Sequence, residues 1–231
     1  MKTLLLILLA LNAGYVDAAG FLALHGLFTT HVTGNFVTLG ASIALGTTGV
    51  LAKLLALPLF CGVILLARLV GIGFDRLGWP ALRIFFVMQA AFLTGAASLA
   101  IRHGAFPDGD APEALAMGGL LVSAMAIQNA LHRVRLSDLP PSTVMTGTTT
   151  QVMVDLADLM RGVSPEKRAA AKKRLGPMSV SVAAFATGCA AGATGFVYGH
   201  EVCFAIPPAL VLAAMAVDAL RKDPAPAAKP A

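Results

Sequence analysis

The chain carries little charge for its length. Asp, Glu, Lys and Arg make up 13% of its 231 residues, whereas hydrophobic residues make up 57% and the mean hydropathy is +0.79. An average soluble domain has about 25% charged residues, so this composition excludes an ordinary soluble protein and indicates an integral membrane protein. The net charge of +5 then reports membrane topology and contact with anionic lipid, and it does not indicate a nucleic-acid partner.

Cysteines and enzyme signatures are also scarce. Cys61, Cys189 and Cys203 are scattered through apolar segments without paired spacing, which indicates neither a disulfide nor a metal site. The sequence has no Gly-x-Ser-x-Gly, His-Glu-x-x-His or Gly-x-x-x-x-Gly-Lys motif, and Gly71-Ile72-Gly73 lacks the third glycine of a dinucleotide-binding loop. We therefore expect no enzyme activity, no cofactor and no metal.

Long hydrophobic runs are what the chain does have. Each is close to the roughly 20 residues that a helix needs to cross about 30 Å of hydrocarbon. The runs are residues 4–24, 54–73, 84–101, 114–131, 178–197 and 202–220. They predict six transmembrane spans.

An internal duplication is carried by two similar tripeptides, Thr33-Gly34-Asn35 and Thr146-Gly147-Thr148. At one fixed offset the polar residues around them correspond, and spacings of three and four put each set on one helix face. The corresponding positions are Asn35 with Thr148, Thr38 with Gln151, and Ser42 with Asp155. With a one-residue gap upstream, residues 14–18 align with residues 126–130, which pairs Asp17 with Asn129. The chain therefore reads as two copies of one membrane unit.

Each unit contains one helix that is too short to cross the membrane. Residues 34–46 and 147–160 would rise only about 20 Å as helices, so we expect them to be re-entrant or half-length. The predicted fold is an all-α integral membrane protein of two repeats, each with three full spans and one short helix. The predicted segments are a first membrane repeat at 1–102, an extramembrane linker at 103–113, a second membrane repeat at 114–222 with a basic cytoplasmic loop at 161–176, and a disordered tail at 223–231.

Basic residues favour six spans over eight, because cytoplasmic loops hold the excess of Lys and Arg. With six spans and a cytoplasmic N-terminus, the Lys and Arg residues of the loops lie inside except Lys53 and Arg102. If both short helices crossed fully, these two would move inside and four arginines would move outside. Those four are Arg76, Arg83, Arg133 and Arg135. Both schemes place the N- and C-termini in the cytoplasm.

Three spans per unit would invert the second unit relative to the first, as in many secondary transporters. The links at 26–32 and 139–145 could then enter from opposite sides and let both short helices begin near the bilayer centre. Helix N-termini carry partial positive charge and unpaired amides, so the two would form a polar cradle. The predicted solute-contacting residues are Thr33, Gly34, Asn35, Thr38, Asn129, Thr146, Gly147, Thr148 and Gln151. Asp17 and Asp155 are the predicted coupling or proton-binding groups.

Structural roles are the alternative for the same residues. Thr33 and Thr146 could be ordinary N-caps, with the glycines only helping helices to pack. Asp17 could simply bond a neighbouring helix. His25 and His31 flank the first link, but their spacing is not a metal-ligand signature, and we interpret both as interfacial histidines.

Other segments carry smaller predictions. Gly188 and Gly192 form a Gly-x-x-x-Gly pair, which predicts a tight helix contact and is compatible with a homo-oligomer. Residues 161–176 predict a short basic amphipathic element on the cytoplasmic surface. The N-terminal run is similar to a signal peptide, but cleavage after residue 18 would delete Asp17, whose counterpart lies in an uncut span. We therefore expect this run to be retained.

At these motifs the chain resembles the YoaK family of bacterial inner-membrane proteins, whose activity is not established. Four motifs occur in the same order, and the resemblance extends from about residue 10 to about residue 220. The motifs are Gly14-Tyr15-Val16-Asp17-Ala18, Val32-Thr33-Gly34-Asn35, Ile127-Gln128-Asn129-Ala130 and Thr143-Val144-Met145-Thr146-Gly147-Thr148. The resemblance implies a multi-pass protein of the bacterial inner (plasma) membrane.

The leading functional hypothesis is a small permease that holds a solute or ion between the N-termini of the two short helices. Its partners would be the lipid bilayer and that solute. The alternative is a non-transporting membrane scaffold or sensor that works through its basic cytoplasmic loop. A membrane-embedded enzyme would require Asp17 to converge with His25 or His31.

Overall fold

The computed structural model describes residues 1–143 and 145–220. These residues form helices, turns and loops without strands, so the predicted all-α class is confirmed. The predicted tail at 223–231 lies outside them. The α-helices are α1 (Lys2–Ala23), α2 (Asn35–Leu45), α3 (Val50–Arg76), α4 (Ala81–His103), α5 (Pro112–Arg135), α6 (Met145–Arg161), α7 (Pro165–Gly199) and α8 (Ile206–Ala219), with short 3-10 helices at Val32–Gly34 and His200–Ala205.

Among the described residues, 5 helical stretches are long and apolar enough to cross a membrane. α1, α3, α4 and α5 supply one each and match the first four predicted runs. The last stretch, Pro165–Ala219, contains α7, a 3-10 helix and α8, so the fifth and sixth predicted runs lie in one helical segment. This pattern is that of a multi-span membrane protein, and the count of six spans stays a prediction.

α1 and α5 form the centre of the molecule. They are the most buried of the membrane-length helices, and Leu5, Leu9 and Met125 are among their fully buried side chains. α3, in contrast, exposes a row of large apolar side chains that includes Leu65 and Leu66. A helix that is apolar on all sides suits a lipid surrounding. The polar chemistry described below is accordingly concentrated around α1 and α5.

The first helices of the two predicted units run antiparallel. Near the end of α1, Leu24 lies beside Gly118, close to the start of α5. Near the start of α1, the carbonyl oxygen of Leu9 accepts a hydrogen bond from the side chain of Gln128, close to the end of α5. The contacts between α1 and α5 therefore progress in opposite directions along the two helices.

α1 and α7 run parallel and touch through glycines. A Cβ atom at Gly188 would overlap the carbonyl oxygen of Leu11, and one at Gly192 would overlap the carbonyl oxygen of Tyr15. Only glycine permits this approach of the two backbones. The Gly-x-x-x-Gly pair therefore makes the predicted tight helix contact, and it does so with α1 of the same chain.

These helix directions define two ends of the molecule. What we call the basic end holds the start of α1 and the end of α5, where Lys2 pairs with Asp138. Through the parallel pairing with α1 it also holds the start of α7. The opposite end holds the end of α1 and the start of α3, where the ammonium group of Lys53 donates a hydrogen bond to the carbonyl oxygen of His25.

The structure corrects the predicted boundary at the basic segment. Residues 165–176 are not a separate surface element, because α7 is one helix of 35 residues that continues through Pro177. A proline inside a helix removes one hydrogen bond and crowds the preceding turn, but here it does not end the helix. At about 1.5 Å per residue α7 exceeds the roughly 30 Å hydrocarbon layer, so there is enough length for its basic first turns to extend beyond that layer.

Candidate functional site

The first link folds back along α1 and is held there by Asp17. Asp17 is buried, and its Oδ1 accepts hydrogen bonds from the backbone amides of Thr29 and Thr30 at 2.9 and 2.7 Å. The hydroxyl of Thr30 also donates to the carbonyl oxygen of Ala13 at 3.2 Å. The link therefore leaves the end of α1 and returns to the middle of that helix.

The other carboxylate oxygen of Asp17 is bonded to His31. Nδ1 of His31 lies 2.7 Å from Asp17 Oδ2, and the His31 ring packs edge-on against Phe185 of α7, with centroids 5.2 Å apart. His31 is thus a partner of Asp17, which corrects its interpretation as an interfacial histidine. His25 instead donates a hydrogen bond to the carbonyl oxygen of Phe106 at the opposite end.

Asp17 and His31 do converge, as a membrane-embedded enzyme would require. Within residues 1–143 and 145–220, however, no group of three His, Cys, Asp or Glu side chains is arranged to hold a metal ion. The carboxylate bonds two backbone amides as well as the imidazole. We call this arrangement the clasp: Asp17 bonds Thr29, Thr30 and His31 and so fixes the first link to α1.

Asn35 closes the first link into a loop. Its amide oxygen accepts a hydrogen bond from the backbone amide of Phe28, and its amide nitrogen donates to the carbonyl oxygen of Phe28, both at 2.8 Å. Gly34 lies against the Phe28 ring. Thr33 belongs to the 3-10 helix Val32–Gly34, and the described start of α2 has no side-chain cap, so the N-cap interpretation fails for Thr33.

The second link is held to α5 in the corresponding way. The hydroxyl of Thr143 donates to Oδ1 of Asn129 at 2.8 Å, and Nε2 of Gln128 donates to the hydroxyl of Ser142 at 3.1 Å. At the offset of the duplication, Ser142 and Thr143 correspond to residues 29 and 30 of the first link. A neutral amide therefore holds the second link where a carboxylate holds the first.

Gln128 is also the centre of a buried cluster of amide side chains. Its Oε1 accepts hydrogen bonds from Asn12 of α1 at 3.0 Å and from Gln89 of α4 at 2.8 Å. Among the described residues, Asn12 Oδ1 and Gln89 Oε1 have no hydrogen-bond partner. A buried polar atom without a partner costs about 1–3 kcal/mol, and polar groups at membrane depth are commonly functional.

The two links meet near the middle of α7. His31 of the first link packs on Phe185, and the carbonyl oxygen of Pro141 of the second link accepts a hydrogen bond from the hydroxyl of Ser181 at 2.6 Å. Positions 181 and 185 are about 6 Å apart along the helix axis. Links that leave opposite ends of the molecule therefore approach each other to within about one helical turn.

Each short helix runs back towards the end of the molecule at which its link begins. α2 packs on α3, and α6 packs on α7. Ser42 of α2 accepts a hydrogen bond from Lys53 at 2.7 Å, and Asp155 of α6 accepts two hydrogen bonds from Arg174, at 3.1 and 2.7 Å. The described residues show no extended packing of α2 against α6. The approach of the two predicted units that the described contacts show is that of the links on α7.

Arg174 sets the protonation of Asp155. Its hydrogen bonds hold the pKa of the Asp155 carboxyl below the usual range, against an opposing effect of burial, and a further hydrogen bond from Gln151 acts in the same direction as Arg174. Asp155 is thus an ion-paired carboxylate close to the basic end. Its proton-binding role stays a prediction.

The predicted solute contacts occupy both buried and exposed positions. Asn35 and Thr148 are buried, Gly34, Thr38, Asn129 and Gln151 are half-buried, and Thr33, Thr146 and Gly147 are exposed. Of the predicted site residues, Asp17, Asn35 and Asn129 form hydrogen bonds with the converging links. The first tripeptide spans the end of the 3-10 helix and the first residue of α2, and the second lies on the first turn of α6.

Sequence reasoning did not assign His31, Gln89 or Gln128 to the site where the two links meet. The two glutamines carried a usable signal, because a single amide in an apolar run of membrane length is already a functional candidate. His31 had no such signal. It lies 14 residues from Asp17, and only the return of the link along α1 brings the two together.

A cavity lies under the second link at the basic end. Its volume is about 200 Å³, and it is lined by Asn129, His132, Arg133, Ser137, Leu139, Pro141 and Thr143. Its inner wall contains the Asn129–Thr143 pair, and Arg133 and Ser137 are exposed. The second link is therefore open to the basic end, whereas the polar atoms that hold the first link are engaged by the clasp.

Comparison with known proteins agrees with the motif resemblance. The family described as protein of unknown function (DUF1275) matches residues 5–217. The UPF0700 transmembrane protein YoaK of Bacillus subtilis (strain 168) is 34% identical over 163 residues, which cover 68% of this chain and 68% of that protein. No solved structure gives a significant match. The chain therefore belongs to the DUF1275 family of transmembrane proteins.

Proposed function

We propose that the protein is a permease of the bacterial inner membrane for a small solute or ion. The observation that carries the proposal is the meeting of two links that enter from opposite ends. Broken helices from two inverted units, with irregular backbone meeting at the centre, are the usual binding site of secondary transporters. Irregular backbone at membrane depth is tolerated only where protein buries it or where it lines a cavity.

The contacts of α1 and α5 support the inverted arrangement. With six spans the first helices of the two units are antiparallel, and with eight spans they are parallel. The pairs Leu24–Gly118 and Leu9–Gln128 progress in opposite directions, which favours six spans. Under the positive-inside rule, the basic end faces the cytoplasm and the N-terminus lies there.

The two links would have different roles in transport. In the conformation described here, the cavity beside Asn129 gives access from the basic end, while Asp17 keeps the first link closed through Thr29, Thr30 and His31. A rocking of one unit against the other would open the first link and close the second. Asp17 is then the proposed coupling group, because its protonation would weaken the clasp.

Accessibility of the links to water tests this proposal. We would place single cysteines at Thr30→Cys and Thr143→Cys in a variant without the native cysteines, and treat oriented vesicles with a membrane-impermeant thiol reagent. The control is Met125→Cys, a fully buried position one turn from Asn129. A permease predicts labelling of Thr143→Cys from the basic side, labelling of Thr30→Cys from the other side and a protected control. If both link positions stay unlabelled from either side, the centre is sealed and the proposal fails.

A scaffold or sensor is the second candidate, and one observation favours it. Both polar atoms of the Asn35 side chain are bonded to Phe28, as expected if the polar residues stabilise the fold. The first turns of α7 expose Lys167, Arg168, Lys172 and Lys173, which offers a working surface at the basic end. This candidate predicts that neutralising these residues abolishes function while reconstituted protein moves no solute.

A further inference from the structure

Arg68 is a cation on the surface of α3, the helix that exposes its apolar side chains. It lies inside the apolar run at 54–73 and is itself exposed. The end of α3 at Arg76 is eight residues further along, which is about 12 Å of helix. Across residues 1–143 and 145–220, Arg68 takes part in no hydrogen bond or ion pair. A charge at membrane depth is costly, and it normally pairs with another group or faces a water-filled cavity.

A narrow groove beside Arg68 holds a second guanidinium. Arg68 of α3 and Arg135 of α5 are its charged lining residues. Arg135 pairs with the carboxylate of Asp75 and donates to the carbonyl oxygen of Gly71 at 3.5 Å. Two guanidiniums and one carboxylate leave one unbalanced positive charge at the groove. Its volume is about 10 Å³, enough for a water-sized group, so a larger anion would lie across its mouth.

The surroundings of this groove suit a lipid. The other lining residues have no charge, namely Ala67, Gly71, Phe85, Ala130, Leu131 and Val134. Next to Arg68 along α3, the side chains of Leu65, Leu66 and Leu69 are exposed. Such a surface suits acyl chains, whereas a free anion would lose its hydration on reaching it. Trp79 is 54% exposed and marks the headgroup level at this end, because Trp is enriched where hydrocarbon meets water.

We propose that an anionic phospholipid binds across the groove between α3 and α5. Its phosphate binds the guanidinium of Arg68, with Arg135 adjacent, and its acyl chains lie along the exposed leucines of α3. The fork geometry of arginine suits a phosphate, and basic pockets between transmembrane helices bind anionic headgroups. A zwitterionic headgroup fits less well, because it brings a cation of its own towards two guanidiniums. The inference does not depend on transport.

The chain has a single tryptophan, which can detect such a lipid. The Trp79 ring stacks on Phe74 at 5.6 Å, and Phe74 packs on Phe85 of the groove at 5.8 Å. The full chain would be reconstituted into mixed vesicles of phosphatidylglycerol and phosphatidylcholine, in which one lipid at a time carries bromine atoms that quench tryptophan fluorescence. We expect the association constant of phosphatidylglycerol to exceed that of phosphatidylcholine about fivefold. A ratio near one overturns the inference.

Two substitutions assign the preference to the groove. Arg68→Gln should bring the ratio close to one, and it removes no contact that the described residues make with one another. Arg168→Gln removes an exposed cation of α7 at the basic end and should leave the ratio unchanged. Each ratio compares two lipids within one variant, so it does not depend on the stability of that variant. Equal loss in both variants would show general attraction between a cationic protein and anionic lipid, and it would overturn the site.

Free phosphate offers the same chemistry as the headgroup, and one further arm of the experiment separates the two sources. Inorganic phosphate would be added to the wild-type vesicles at constant ionic strength. We expect the ratio to stay unchanged, because Arg68 lies inside the apolar run. Loss of the preference with added phosphate would show that the site takes an anion from water, and the assignment to a lipid would be wrong.

Discussion

The two links occupy corresponding positions in the two predicted units but differ in chemistry. The first is fixed by a buried carboxylate that bonds two backbone amides and an imidazole. The second is fixed by neutral amides and adjoins a cavity, and the amide cluster at its anchor retains two carbonyl oxygens without partners among the described residues. The difference supports the proposed division of roles, in which the clasp holds the first link closed and the second link contacts the solute.

The largest expected effect comes from removing the clasp. Asp17→Ala leaves two buried backbone amides without an acceptor, each costing about 1–3 kcal/mol, so we expect the free energy of unfolding to fall by about 2–6 kcal/mol. Asn129→Ala removes two side-chain hydrogen bonds, one from the hydroxyl of Thr143 and one to the carbonyl oxygen of Met125, and should cost less, about 1–3 kcal/mol. Unfolding by denaturant in mixed micelles measures both. Equal costs would mean that the two links are held alike.

The next effect concerns the anchor of the second link. Gln128→Leu keeps the volume of the side chain but leaves Asn12, Gln89 and Ser142 without their shared partner. Because these side chains can rotate towards other groups, we expect a loss of about 2–4 kcal/mol, smaller than for Asp17→Ala. The same unfolding assay measures it. A loss below 1 kcal/mol would contradict the anchoring role of Gln128.

Low pH should weaken the contacts at the outer end of α6 but not those at the outer end of α2. The pKa of Asp155 is held below the ordinary value of 3.8 by Arg174, so its contribution to stability is present above about pH 4 and disappears as the pH falls through the lowered pKa. The difference in melting temperature between the wild type and Asp155→Asn should therefore shrink in acid. Ser42→Ala is the matched control in α2. Because no carboxylate takes part in the Ser42–Lys53 bond, its difference from the wild type should not change with pH.

The smallest expected effect on stability is at Gln89. Gln89→Leu loses one hydrogen bond to Gln128 but also removes a buried carbonyl oxygen that lacks a described partner. These terms nearly cancel, so the free energy of unfolding should change by less than about 1 kcal/mol. Melting curves of Gln89→Leu, recorded together with those of Gln128→Leu, measure this change in stability. A loss of several kcal/mol would show that Gln89 Oε1 has a partner, such as an internal water.

Periodicity and hydropathy predicted the local structure well. The short helices predicted at 34–46 and 147–160 are Asn35–Leu45 and Met145–Arg161, and four of the six predicted runs each match one helix. Such features depend on neighbouring residues, so the sequence contains them directly. The duplication also pointed to Asp17 and Asn129, because paired polar residues in apolar runs are visible without a fold.

Features that depend on tertiary contact escaped prediction. The partner of Asp17 is His31, and the partner of Asp155 is Arg174, 19 residues further along. Neither pair lies within one helix, so no helical spacing connects the two residues. The tight glycine contact was predicted, but its partner, α1, was not. The continuation of α7 through Pro177 also runs against local propensity, since proline disfavours a helix interior.

In the proposed arrangement the two links enter from opposite sides of the membrane, which the sidedness of the loops after the short helices would reveal. Single cysteines at the exposed positions Thr47→Cys and Ser164→Cys, in a background without native cysteines, would be labelled with an impermeant thiol reagent in right-side-out and inside-out vesicles. We expect labelling from opposite sides, with Ser164→Cys on the cytoplasmic side. Labelling of both positions from the same side would mean that the short helices cross the membrane, and the inverted arrangement would then be wrong.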